Sequence, residues 1–155
     1  MLRRILRALF PPPAPPARPS DPRLEADPWL GRMFAVLPDR YQLGPDAAEG
    51  AQVLRRTGKA RFNPMRVWVR PAGRVVRGEY EVRGDPAAAK VLLDARVSRQ
   101  LAALGLTAAG ESVDDWGGSV LTRKYEGRCE SAEQAAAAVR FLCEESEQLV
   151  VLAAE

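Results

Sequence analysis

The stretch MRVWVRPAGRVVRGEYEVR, residues 65–83, decides the fold of this chain. Its first six residues alternate, so that Met65, Val67 and Val69 fall on one side of a strand and arginine and tryptophan on the other. The segment PAG at 71–73 supplies turn residues, and the residues that follow it return with the same alternation. The stretch therefore predicts a β-hairpin with one buried and one solvated face.

A helix and a second hairpin are predicted downstream. Asp85-Pro86 indicates the start of a helix, which should end at Gly105. The segments ESVDDW and SVLTRKYEGR, separated by Gly-Gly at 117–118, predict two further strands. SAEQ at 131–134 has the form of a capping box and predicts the start of the last helix.

The two ββα units resemble each other in sequence. An offset of 45 residues places VVRGEYEVRGDPAA over VLTRKYEGRCESAE and aligns Tyr80 with Tyr125 and Arg83 with Arg128. Two explanations stay open. One is a duplication of a ββα unit. The other is that the same periodicity rules shaped two unrelated units.

Upstream of the hairpin, the sequence predicts two helices and a short strand. ADPWLGRMFAVLPDRY has Asp27 in the N-cap position and Pro28 at the first helical position. GPDAAEGAQVLRRTG is expected to form a helix from Pro45 to Gly58, and KARF at 59–62 a strand. We therefore expect one α+β domain over 21–155, with order α-α-β-β-β-α-β-β-α and an antiparallel sheet of about five strands.

This order of elements over residues 28–150 resembles the fold shared by type III secretion chaperones and YbjN-like proteins. The resemblance rests on topology, and the chain departs from it in being basic overall, with a net charge of +3. It implies a protein-binding module that can form a homodimer.

The first ten residues, MLRRILRALF, predict a basic amphipathic peptide with apolar and arginine faces. Its expected docking residues are Leu2, Arg3, Arg4, Ile5, Leu6, Arg7, Leu9 and Phe10. Residues 11–20 form a Pro-rich linker, whose extended conformation would hold the peptide away from the domain. Three roles stay open for the peptide: docking in a partner protein's groove, lying on an anionic membrane surface, or no role.

Charge is polarised along the chain. Residues 1–77 hold 15 Lys/Arg against 6 Asp/Glu, whereas residues 78–155 hold 8 against 14. This pattern fits self-complementarity within the domain or between copies, and it also fits an acidic ligand. The candidate residues for an acidic-ligand surface are Arg61, Arg66, Trp68, Arg70 and Arg74.

Several catalytic chemistries are excluded by composition. The chain has no histidine, which removes Ser-His-Asp triads, His-paired cysteines and zinc-histidine sites. Cys129 and Cys143 lack redox or metal spacing and are expected to be packed free thiols in a reducing compartment. Asp114 and Asp115 are neighbours on a strand and should point to opposite faces. We therefore expect no catalytic residues, no metal and no cofactor.

Together these features predict a non-enzymatic adaptor or chaperone-like interaction protein in the cytoplasm, tethered to a protein partner through residues 1–10. One alternative is a nucleic-acid-binding protein that uses the Arg-rich hairpin at 61–77. Another is a peripheral protein anchored to a membrane surface by residues 1–10. Homodimerisation is compatible with each.

Overall fold

The structure is a computed structural model and describes residues 20–55, 65–115 and 117–153. The predicted docking peptide at 1–10, the linker up to residue 19, the strand expected at 59–62 and Arg61 lie outside the described residues.

The described elements form one antiparallel sheet with helices packed on it, which confirms the predicted α+β class. A 3₁₀ turn, Pro71–Gly73, joins β3 to β4, and a π-helical turn, Asp94–Ser98, joins α3 to α4. In chain order the elements are α1 (Pro22–Ala26), α2 (Pro28–Val36), β1 (Tyr41–Ala47), β2 (Gly50–Arg55), β3 (Met65–Arg70), β4 (Val75–Arg83), α3 (Pro86–Leu93), α4 (Arg99–Ala103), β5 (Thr107–Asp114), β6 (Val120–Arg128) and α5 (Ala132–Ala153).

The helix predicted from Pro45 to Gly58 is wrong, because β1 and β2 form a hairpin there. Ala51 and Val53 are buried and alternate with more exposed residues, which is the period of a strand. Gly50 sits at the turn with φ +130°, and a Cβ on it would lie 2.5 Å from the Val69 carbonyl oxygen. Within the described residues the sheet therefore has six strands rather than about five.

The helix starts predicted at Asp27, Asp85 and Ser131 are confirmed. The Asp27 side chain accepts a hydrogen bond from the Leu30 amide at 2.9 Å, and Asp85 accepts from the first amides of α3. At the start of α5 the Gln134 amide donates to Ser131 Oγ at 3.0 Å. These caps satisfy amides that have no partner within their helix.

The strand order is β1-β2-β3-β4-β6-β5, with antiparallel neighbours throughout. One face, here called the inner face, packs against the helices. At Gly78 of β4 this face lies in close contact with α5, since a Cβ there would lie 2.6 Å from Leu142 Cδ2. The inner-face residues join the helix residues in a single core; among its fully buried side chains are Phe34, Tyr41, Val69, Val76, Leu93, Leu101, Leu121 and Leu142.

The ββα similarity has a counterpart in three dimensions. The bounds of β4 and β6 differ by 45 residues at both ends, and the two strands pair about a local two-fold axis. Glu79 lies opposite Lys124, its own equivalent at that offset. The equivalent rings of Tyr80 and Tyr125 pack edge to face, with centroids 5.9 Å apart.

Among the described helices, none has both the length and the apolar character needed to cross a bilayer.

Candidate functional site

The candidate site lies on the outer face of the sheet, opposite the packed helices. Because side chains alternate along a strand, the pairing registers fix which residues share this face. The structure places Arg66, Trp68 and Arg70 of β3 together on it. Arg74 lies just beyond this face, between the 3₁₀ turn and β4.

In the middle of the outer face the charges are balanced. Arg66 Nη2 lies 2.8 Å from Glu81 Oε1 and 3.8 Å from Glu79 Oε1. The hydrogen bond with Glu81 raises the pKa of Arg66 above its usual value. Lys124 lies opposite Glu79 in the β4–β6 register. Two cations therefore meet two carboxylates, as expected for self-complementarity within the domain.

At one end of the outer face the charges are not balanced. Arg70, Val75 and Arg128 form one row across three strands, and Arg77 and Glu126 are paired in the next row. Arg70 Nη2 lies 3.9 Å from Glu126 Oε1, and Arg77 Nη1 lies 3.7 Å from Glu126 Oε2. We call Arg70, Arg74, Arg77 and Arg128 the arginine cluster. Glu126 pairs with two of these four cations, Arg70 and Arg77, and Glu130 lies beside the other two, so the cations outnumber the carboxylates by four to two.

The turn at Arg74 supports this cluster. Arg74 has φ 52°, in the left-handed region that residues other than glycine seldom adopt, and its carbonyl accepts a hydrogen bond from the Cys129 amide at 2.9 Å. Arg74 and Arg128 line one shallow depression of about 520 Å³ together with Cys129 and Glu130. Within the described part of the chain, neither arginine forms an ion pair. Both guanidinium groups are therefore available to an external anion.

Trp68 lies on the outer face but is only 7% exposed. Its register neighbours are Gln52 on β2 and Arg77 on β4. A ring buried to this extent offers little area for stacking a base. Trp68 therefore contributes to the packing of the outer face more than to a binding surface.

A buried arginine on the inner face was not anticipated from the sequence. Arg123 of β6 is 6% exposed and donates from Nε to Glu111 Oε2 at 2.8 Å, while its Nη1 donates to Asp94. Glu111 Oε1 is held by Lys90 Nζ at 2.8 Å. Hydrogen bonds from Lys90 and Arg123 lower the pKa of Glu111. Arg123 alternates with Leu121 and Tyr125 along β6, and this pattern was the available sign of a paired buried charge.

A second polar contact joins α5 to the start of β1. Glu144 accepts hydrogen bonds from the Tyr41 hydroxyl, at 2.9 Å, and from Arg40. Burial raises the pKa of Glu144, but these two hydrogen bonds outweigh it and hold the pKa below its usual value. From helical periodicity alone, Glu144 is expected on the solvent side of α5. Its two partners are about a hundred positions away in the sequence, so a local pattern cannot reveal them.

Both cysteines are free and buried, as predicted. Burial raises the pKa of the Cys129 thiol to about 11 and that of Cys143 to about 12. Neither is a thiolate at neutral pH, so neither is an activated nucleophile.

The described residues contain no group of three or more Asp, Glu or Cys side chains placed to hold a metal ion. Asp114 and Asp115 do not converge on one point: Asp114 opposes Val120 in the ladder, whereas Asp115 accepts a hydrogen bond from Ser119 Oγ at 2.9 Å.

The chain matches no protein-family model, and comparisons with curated proteins and with solved structures found no match.

Proposed function

We propose that this protein is a non-enzymatic interaction module that binds an acidic protein surface through the arginine cluster. The observation that carries the proposal is the charge imbalance at one end of the outer face, where four guanidinium groups outnumber the carboxylates of Glu126 and Glu130. Guanidinium groups bind carboxylates in a planar, bidentate geometry with two parallel hydrogen bonds. An acidic segment laid across the ends of β3, β4 and β6 would supply the missing carboxylates.

Nucleic acid is the second candidate ligand for the same surface, since guanidinium groups also bind phosphate. Single-stranded nucleic acid is usually held by exposed aromatic rings as well as by cations. The burial of Trp68 removes that second contribution. An acidic protein therefore fits the cluster better than a nucleic acid does.

The N-terminal peptide supplies a second contact in this proposal. Residues 1–10 dock on the partner, and the linker at 11–20 sets the distance between the two contacts. A weak tail and a weak surface would then bind together more tightly than either alone. The tether is tested by Leu6→Asp in the full chain, which places a charge on the apolar side of the peptide. Partner capture that is unchanged in Leu6→Asp would remove the tether from the proposal.

The experiment that tests the cluster uses two double variants of equal charge. Arg74→Gln/Arg128→Gln removes the two cluster arginines that form no ion pair. Arg83→Gln/Arg96→Gln removes two exposed arginines that form none either and that lie elsewhere. Both variants lower the net charge of +3 by two. The probe is a labelled Asp/Glu-rich peptide followed by fluorescence anisotropy.

We expect the cluster variant to bind the peptide roughly five- to ten-fold more weakly, at up to about 1 kcal/mol for each exposed ion pair, and the control variant to bind like wild type. Equal losses in both variants would show that only net charge matters and would refute the cluster as the binding surface. Tighter binding of a single-stranded DNA of matched charge, lost in the same variant, would favour the nucleic-acid function instead.

A further inference from the structure

The two edges of the sheet differ in how open they are. On the β1 edge, Pro45 has no amide to donate and the ladder is irregular between Leu43 and Asp46. Arg23 covers the same stretch, donating to the Gly44 carbonyl at 2.9 Å and contacting Asp46 Oδ1 at 3.0 Å. Such features prevent another strand from pairing at an edge.

The β5 edge has neither a proline nor a covering arginine, and the irregularity in its ladder is confined to the stretch between Ala108 and Gly110. Thr107–Asp114 contains no proline and no lysine, and every residue in it is exposed. From Gly110 to Asp114 its ladder with β6 is regular, so this part of the strand is straight enough to pair on its other side. Its outward amides and carbonyls have no strand partner among the described elements. An edge of this kind is a template for strand addition.

We infer that a second copy of this chain pairs its β5 with β5 antiparallel, about a two-fold axis through Ser112. In this register Ser112 faces its own copy, Glu111 opposes Val113, and Gly110 opposes Asp114. The two sheets become one continuous sheet of twice six strands. The outward backbone groups of both edges are then hydrogen bonded.

The register follows from charge and from sheet geometry. A two-fold axis perpendicular to the sheet leaves the inner faces of both copies on the same side. Directly opposite residues in an antiparallel pair point to the same face, so the residue at the axis must lie opposite its own copy. Centring on Glu111 would oppose Glu111 with its own copy, and centring on Val113 would oppose Glu111 with Asp115. Like charges directly opposite one another are destabilising. Moving the centre the other way meets the irregularity between Ala108 and Gly110. Ser112 is the centre that avoids both problems.

Burial of Glu111 at this interface is tolerable because its charge is already compensated. Lys90 Nζ holds one carboxylate oxygen at 2.8 Å, and Arg123 Nη2 holds the other at 2.7 Å. A carboxylate that enters an interface without such partners would cost free energy.

An exposed apolar side chain also marks this edge. Val113 on β5 is one of three large hydrophobic residues exposed in the described part of the chain. It is 44% exposed and would lie diagonally across the axis from its own copy.

The pairing has one consequence for binding. Because the axis is perpendicular to the sheet, the outer faces of both copies point to the same side. Two arginine clusters would then be available to one partner, which raises its apparent affinity through multivalency.

The test measures the mass of the full-length chain by light scattering from low micromolar to several hundred micromolar concentration. We expect a dimer that Val113→Glu weakens roughly ten-fold, because the new carboxylate would oppose Glu111 twice in the symmetric interface. Val113→Lys should keep the dimer, since lysine would oppose the same glutamate with the opposite charge. Val36→Glu is the control, because Val36 is also an exposed valine, 48% exposed, but lies on α2.

A chain that stays monomeric at every concentration would overturn the inference. So would a dimer that Val113→Glu leaves intact, or one that both Val113 variants abolish equally. A covalent readout checks the register independently of affinity. Under mild oxidation Ser112→Cys should give a disulfide-linked dimer, whereas Ala87→Cys, at an exposed position on α3, should not. Equal cross-linking of the two variants would contradict the register.

Discussion

Replacing Gly127 by alanine should destabilise the fold strongly, because the backbone of another segment lies against it. Gly127 is on β6, next to Arg128 of the arginine cluster. A Cβ there would lie 2.0 Å from the Gly105 carbonyl oxygen and 2.8 Å from Leu106 Cα. These are backbone atoms, so no side-chain rotation can relieve the contact. The end of β6 would have to move away from the segment that follows α4.

The cost of the backbone contact at Gly127 can be separated from the general effect of a glycine-to-alanine change by using Gly110, on the neighbouring strand, as a control. In Gly110→Ala the nearest atom to the new Cβ is Lys124 Cδ at 4.0 Å, an ordinary contact. In both variants alanine reduces the conformational entropy of the unfolded chain, which stabilises the folded state by about 0.4–1 kcal/mol. Gly127→Ala adds overpacking against the backbone, which costs about 3 kcal/mol, at the upper end of the usual range.

The assay is urea unfolding of both variants and wild type by circular dichroism. With an m-value of about 2 kcal/mol/M and a net loss of about 2–2.6 kcal/mol, we expect the midpoint of Gly127→Ala to fall by roughly 1–1.3 M. Gly110→Ala should unfold at or slightly above the wild-type midpoint. If the two variants unfolded within about 1 kcal/mol of each other, the close approach of β6 to Gly105 would be wrong.

The remaining predictions concern the buried polar groups. Arg123→Met should lower the free energy of unfolding by about 1.5–3 kcal/mol, whereas Arg83→Met, at an exposed position, should change it by less than about 0.5 kcal/mol in the same urea assay. The folded pKa of Glu144 lies below its unfolded value of about 4.3, so its stabilising contribution is complete above that pH and is lost as pH falls through the folded pKa. Stability measured from pH 6 to pH 3 should therefore fall less steeply in Glu144→Gln than in wild type, and identical slopes would contradict the assignment. Cys129 and Cys143 should react with a thiol reagent at neutral pH only when urea unfolds the chain, and rapid labelling of the native protein would contradict their burial.

The local sequence pattern is sufficient to predict some of the helices and strands. The hairpin at 65–83 alternates without interruption, and the helix starts carry Asp-Pro or Ser-x-x-Gln signals whose hydrogen bonds are local. The sequence predicts a helix from Pro45 to Gly58 because Pro45 and Asp46 resemble a helix start, whereas the structure has a hairpin over 41–55. What decides its conformation is distant: Ala51 pairs with Val69 and Val53 with Val67, on a strand that the local window does not contain.

The same distinction holds for the candidate site. The β3 alternation placed Arg66 and Arg70 on one face without knowledge of the fold. Arg77 and Arg128 join Arg70 only through the registers of β3 with β4 and of β4 with β6. The burial of Trp68 depends on side chains from neighbouring strands, so its exposure could not be judged from its position on β3.

The arginine cluster can be tested most directly by observing the arginine side chains themselves. The measurement is a titration of the full chain, labelled with nitrogen-15, with the Asp/Glu-rich peptide, while the Nε–H resonances of the arginines are followed by NMR. We predict the largest chemical-shift changes for Arg74 and Arg128 and smaller changes for Arg70 and Arg77. The Arg66 resonance should not shift, because Arg66 already pairs with Glu81. Shifts spread evenly over exposed arginines, or centred on Arg66, would contradict the proposed binding surface.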